Sequence, residues 1–130
     1  MNEQIFKERT KKLALDVIQL VEDLPKTRAA DIISRQLLRS ATSVGANYRA
    51  ACRGKSTADV LAKLAIVEEE ADETVYWLDL LVEANIVASR QISDLHKETN
   101  EIIAMTVASI KTLRERIWRA NPKSKIQNPK

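Results

Sequence analysis

Apolar residues recur along this chain at steps of three and four, the spacing that lines one face of an α-helix. Phe6, Leu13, Val17, Leu20 and Leu24 form a first stripe, and Lys7, Arg9, Lys11 and Lys12 sit largely off it. Pro25 ends that helix, because the residue before a proline is pushed out of helical geometry. Ile33, Leu37, Ala41, Val44, Tyr48 and Ala51 form a second stripe, flanked by Ser40, Ser43, Gly45, Ala46, Asn47 and Ala50. Those small residues weaken the helix, Gly45 alone by roughly 1 kcal/mol against alanine. Close approach of another backbone would offset the loss; the alternative is a helix that breaks at Gly45. A third stripe holds Leu64, Val67, Ala71, Leu78 and Leu81, and a fourth holds Leu95, Thr99, Ile102, Thr106, Ile110, Leu113 and Ile117.

The punctuation agrees with the stripes. Thr27, Ser56 and Ser89 are suited to cap the second, third and fourth helices, and Asp59 stands three residues after Ser56 as in a capping box with a shorter acid. The expected helices are therefore 3–22, 27–53, 56–85 and 89–120, with a tight turn at Arg53-Gly54-Lys55 and a stop at Pro122. Three short connections between four long helices predict an all-α, antiparallel, up-down-up-down four-helix bundle of left-handed twist spanning residues 1–120. Residues 121–130, NPKSKIQNPK, are expected to be a disordered basic tail.

The segment Val75–Val82 is apolar at every position except Asp79. One buried face needs a stripe only about 100° wide. A second surface is thus expected to cover Tyr76, Trp77 and Leu80, and in a domain this small that surface is another copy of the chain.

Composition narrows the class further. With 130 residues, two glycines, three prolines and 4% aromatics, the chain suits one helical domain. Its start, MNEQIFKERTKK, lacks the apolar core of a signal peptide, and no run is long enough to span a membrane. A cytoplasmic location without membrane contact is expected. The net charge is only +3, but it is sorted by element. Residues 26–55 hold seven basic side chains and one acid, residues 56–84 hold eight acids and one base, and residues 111–130 hold seven basic side chains and one acid.

Folding the second and third helices back around position 54 or 55 sets Arg39 level with Glu70, and Arg35 beside Glu73. Arg35 and Arg39 are therefore expected to pair with Glu69, Glu70 or Glu73 as structural ion pairs. Arg49, Arg53 and Lys55 at the turn, and Lys111, Arg114, Arg116, Arg119, Lys123 and Lys125 near the chain end, should share one end of the bundle. There they are candidates for phosphate contacts with RNA or DNA, which need no base-reading motif. The competing reading is a solvated surface on a scaffold whose partner is another protein.

Catalytic patterns are scarce. A di-metal bundle site needs Glu-x-x-His pairs. His96 is the single histidine, with Ser93 three residues before it, and Glu69 and Glu73 share a face without an imidazole. His96 is expected to be an exposed surface residue. Cys52 is the single cysteine and has no identifiable base, Ser40 and Ser43 lack an oxyanion-hole motif, and Gly54-Lys55-Ser56 lacks the upstream glycine of a phosphate loop. No enzyme, cofactor or metal is expected.

The pattern Leu38-x-Ser40-x-x-Ser43-Val44-x-x-Asn47-Tyr48, followed by Ser56, Asp59, Lys63-Leu64 and Glu69-x-x-Asp72-Glu73-x-x-x-Trp77-Leu78, resembles the four-helix-bundle proteins related to those encoded in 23S rRNA intervening sequences. The same fold is similar to that of the accessory protein of diversity-generating retroelements. That relative is a barrel-shaped homopentamer with a basic surface, and it works with a reverse transcriptase and nucleic acid. The resemblance implies five subunits, a nucleic-acid partner and a reverse transcriptase as a protein partner. Ala50 stands where the family often has a glutamate, and Val60 where it often has an aromatic. Architecture is implied more strongly than activity.

Overall fold

Four helices, α1 (Glu3–Glu22), α2 (Arg28–Cys52), α3 (Thr57–Glu83) and α4 (Ser89–Ala120), make up this computed structural model, which describes residues 2–120. No strand occurs among the described residues. The starts of α1, α2 and α3 are closed by short polar side chains, whereas the expected Ser89 cap of α4 is corrected: Ser89 is already the first helical residue, and the Gln91 side chain accepts from the Ala88 N–H at 2.7 Å. Asn2 accepts from the Ile5 N–H at 3.0 Å, Thr27 from Ala30 at 3.2 Å and Ser56 from Asp59 at 3.1 Å. Asp59 reaches back to the Lys55 N–H at 3.1 Å, so this box closes one residue earlier than the usual reciprocal pair. Because Thr27 and Ser56 are caps, α2 and α3 begin one residue later than the stripes alone suggest. Asn85 leaves α3 at φ 59°, and the N–H groups of Asn85 and Ile86 return to the carbonyls of Val82 and Leu81. Asparagine tolerates that left-handed position better than most side chains.

Neighbours in sequence are neighbours in space, and α4 closes on α1; α1 does not meet α3, nor α2 meet α4. The core runs between them. All six stripe residues of α2 are buried, as are the five of α3. On α1, Phe6, Leu13 and Val17 are buried and Leu20 covers the edge, with Leu24 joining it from the turn beyond the helix. On α4, Thr99, Ile102, Thr106 and Ile110 are buried and Leu95 and Leu113 partly so, but Ile117 is 38% exposed.

Helix α2 passes unbroken through Gly45. A Cβ built there would lie 3.3 Å from Thr10 Oγ1 and 3.5 Å from the Thr10 carbonyl carbon. The glycine thus admits α1 close to α2, which is the compensation its low helix propensity requires. Phe6 and Tyr48 meet in the same seam, with ring centroids 4.5 Å apart at 67°.

The seam between α2 and α3 departs from the register expected from the turn. Thr74 faces Ser40, at 3.0 Å between hydroxyl oxygens, rather than Arg35. Arg39 still reaches Glu70 at 3.2 Å and also contacts Glu73. Arg35 lies more than a turn further along and binds Asp31 on its own helix at 3.1 Å. The expected pairing of Arg35 with α3 is therefore corrected, and Glu69 is exposed with no cation within 4.0 Å among the described residues.

Candidate nucleic-acid interface

The turn between α2 and α3 is short because Gly54 lets Val60 and the Ala51 carbonyl close over it; a Cβ there would strike the Val60 side chain. Arg49, Arg53 and Lys55 are all exposed around this turn. Lys111, Arg114, Arg116 and Arg119 are exposed on the last turns of α4. Glu3, Tyr48, Met105, Leu113 and Arg116 line one groove of about 680 Å³, so the last turns of α4 and of α2 both approach the start of α1. The two basic groups share one end of the molecule. Lys123 and Lys125, and the expected disorder of the tail, lie outside the described residues.

None of these seven cations has a carboxylate within 4.0 Å among the described residues. The contrast with the bundle's flanks is clear. Arg9 binds Glu98 through two nitrogens at 2.7 and 2.8 Å and Glu101 at 2.8 Å, and bonding to Glu98 raises its pKa. It thereby clasps α1 to α4 across the sparsest seam of the bundle. Arg39 is likewise held charged, chiefly by Glu73. The Trp77 indole N–H donates to Glu73 at 2.9 Å and, with Arg39, holds that carboxyl below its ordinary range.

The chemistry of the remaining polar groups is quiet. His96, expected on the open surface, is half-buried: its Nε2 lies 2.8 Å from Asp79, and Asn100 Nδ2 lies 3.2 Å from Nδ1. With Nε2 donating and Nδ1 accepting, both contacts are satisfied. Burial pushes the Cys52 thiol up, away from the thiolate form a nucleophile needs. Among the described residues no three His, Cys, Asp or Glu side chains cluster closely enough to hold a metal ion. No helix of the described residues is long and apolar enough to cross a membrane.

On the outer face of α3, Tyr76 is 57% exposed and packs edge-on against Trp77, with centroids 4.9 Å apart. Trp77 and Leu80 are half-buried against the core. Sequence reasoning missed the Arg9 clasp and the His96–Asp79 pair. Both are visible only when α4 is laid against α1 and α3, since the residues lie 89 and 17 positions apart.

The model of the 23S rRNA-intervening sequence protein family matches residues 2–108. The chain belongs to this family. It is also similar to a protein of unknown function from the S23 ribosomal protein family of Bacteroides thetaiotaomicron, whose crystal structure was solved at 1.70 Å. The identity is 33%, the TM-score 0.79, and the match covers 85% of this chain and 99% of that one. No curated protein matches the chain.

Proposed function

We propose that this member of the 23S rRNA-intervening sequence family is a non-enzymatic, cytoplasmic accessory factor that binds RNA or DNA through the basic end of an antiparallel, up-down-up-down bundle. One observation carries the reading: seven exposed cations gather at that end without a carboxylate partner among the described residues. An unpaired cation contacts a phosphate without first breaking an ion pair, and each contact releases condensed counterions. The contacts of Phe6 with Tyr48, Ser40 with Thr74 and Asp79 with His96 support the alternating course of the helices.

The decisive measurement is a salt titration of binding to RNA and DNA. Affinity should fall with rising salt at a log–log slope near −0.9 per phosphate contact on duplex DNA. Replacing Arg114, Arg116 and Arg119 with Gln should flatten that slope without changing the mass of the particle. An absence of binding at low salt would remove the reading and leave a protein-binding scaffold, with a reverse transcriptase the first partner to try on the strength of the retroelement resemblance.

Exposed Tyr76, together with Trp77 and Leu80, supports a contact between copies of the chain; the number five rests on the resemblance alone. A ring of copies would multiply the basic end and raise avidity without any new contact. Trp77→Asp should dissociate the assembly by placing an unpaired charge in the contact. A monomer mass for the unaltered chain by light scattering at micromolar concentration would refute the assembly.

A further inference from the structure

Between the end of α4 and α3 runs a groove of about 700 Å³, lined by Glu68 of α3 and by Val107, Ile110, Lys111, Arg114, Glu115 and Trp118 of α4. Lys111, Arg114 and Trp118 fall at helical steps of three and four, so two cations and an indole follow one another along a single face. Trp118 is half-exposed in that wall, while its Nε1–H is shut off from solvent and meets no acceptor among the described residues. What the indole offers the groove is therefore ring carbon, a stacking surface, and not a hydrogen-bond donor. Val107, 43% exposed, extends the apolar wall. Glu68 and Glu115 lie in the same groove, but neither comes within 4.0 Å of Lys111 or Arg114, which keep their donors free. Most of this wall lies beyond residue 108, where the match to the family ends.

We propose that this groove takes a single strand of nucleic acid, with a base stacked on Trp118 and the flanking phosphates on Lys111 and Arg114. A duplex keeps its bases stacked on each other and cannot offer one to the indole, whereas every unpaired base has a π face. The contacts read neither sequence nor the 2′-hydroxyl, so RNA and DNA strands are taken alike. This assignment rests on the nucleic-acid reading above and names the form of its ligand.

The test is fluorescence anisotropy of the full chain with labelled oligo(U), oligo(dT) and a duplex of equal length. Trp118→Ala should weaken both single strands by about tenfold, the scale of one lost stacking contact. Trp118→Phe should restore most of that loss, and the duplex should be little changed by either. Glu68→Gln, which leaves the indole in place, should strengthen single-strand binding more than duplex binding. If Trp118→Ala and Glu68→Gln leave the single strands unaffected while the triple Arg114, Arg116 and Arg119 variant weakens every ligand, the groove assignment falls and the basic end stands. If no oligonucleotide binds at low salt, both fall. If single strands bind only after residues 121–130 are removed, the groove belongs to the chain's own C-terminal segment and the proposal is overturned.

Discussion

Two hydroxyls meet in the dry seam between α2 and α3, and their coupling can be measured. Ser40 and Thr74 are both 0% exposed, with their oxygens 3.0 Å apart. Each also approaches a carbonyl of its own helix: Ser40 that of Leu37 at 3.2 Å, Thr74 that of Glu70 at 2.8 Å. Two protons cannot fill all three contacts, and oxygens this close need one between them, so the pair works as a relay in which Thr74 donates to Ser40 and Ser40 to Leu37. Thr74→Val keeps the shape of the side chain. Ser40 goes on donating to Leu37 but loses the proton it accepted. Losing the bond costs about 1 kcal/mol and the unmet oxygen about 1 kcal/mol more, against about 0.8 kcal/mol regained from a buried methyl. A net loss of about 1 kcal/mol is expected. Ser40→Ala lets Thr74 turn its proton to Glu70, so it should cost about 0.5–1 kcal/mol.

The double variant leaves neither group stranded. Its loss should fall short of the sum of the single losses by about 1 kcal/mol. Urea unfolding at one fixed protein concentration gives the three differences from midpoints at constant slope. In a thermal scan, 1 kcal/mol corresponds to about 3–4 °C for a chain of this size. Losses that add within about 0.3 kcal/mol would show that the hydroxyls do not share a proton across the seam, and the relay would be wrong.

Gly54→Ala should destabilise the chain by about 1–3 kcal/mol, since its Cβ overlaps Val60 and crowds the Ala51 carbonyl at 3.1 Å; Val60→Ala should recover part of the loss in thermal melts. Glu73, whose pKa is lowered first by Trp77 and then by Arg39, contributes stability that is present above the ordinary glutamate value of 4.5 and lost as pH falls through its folded pKa. Glu73→Gln should therefore flatten the acid limb of a stability–pH curve, and an unchanged limb would contradict the assignment. Arg9→Gln removes the clasp between α1 and α4, so amide exchange in α1 should quicken, with a loss of about 1 kcal/mol for these part-exposed groups. Protection of α1 equal to that of the unaltered chain would place the strength of that seam in its apolar contacts instead.

The four helices were legible because burial imposes a period of about 3.6 residues, and the stripe from Ile33 to Ala51 needs no other information to be drawn. The caps were legible because Thr27 and Ser56 stand where the first N–H groups lack partners. Register was less so. Sliding one helix past another by a turn keeps both stripes buried, so the stripes alone do not choose between Arg35 and Ser40 opposite Thr74. The buried hydroxyl pair chooses, and it moves Arg35 out of reach of α3. The exposure of the basic candidates from Arg49 to Arg119 followed from their charge. The groove at Trp118 did not, because it forms only where the last turns of α4 are laid against α3, and periodicity says where a helix is apolar but not which residues of its neighbour stand opposite.

That groove bears directly on where binding energy can be collected. Arg9 and Arg39 are also cations on the surface of the bundle, each held by two carboxylates. To contact a phosphate, either would have to give up charge-assisted bonds and leave part-buried glutamates unpaired, which cancels most of the gain. In the groove between α4 and α3, by contrast, Glu68 and Glu115 lie near Lys111 and Arg114 without pairing with them. Arg114, Arg116 and Arg119 stand on a stretch of α4 whose single acid is Glu115, and Arg49, Arg53 and Lys55 are equally unpaired among the described residues. The last turns of α4 thus carry unpaired cations and the indole of Trp118 along one wall. Shortening α4 at Leu113 should leave the core through Ile110 intact and remove the base contact of Trp118 together with the phosphate contacts of Arg114, Arg116 and Arg119, leaving the weaker binding of Lys111 and the turn.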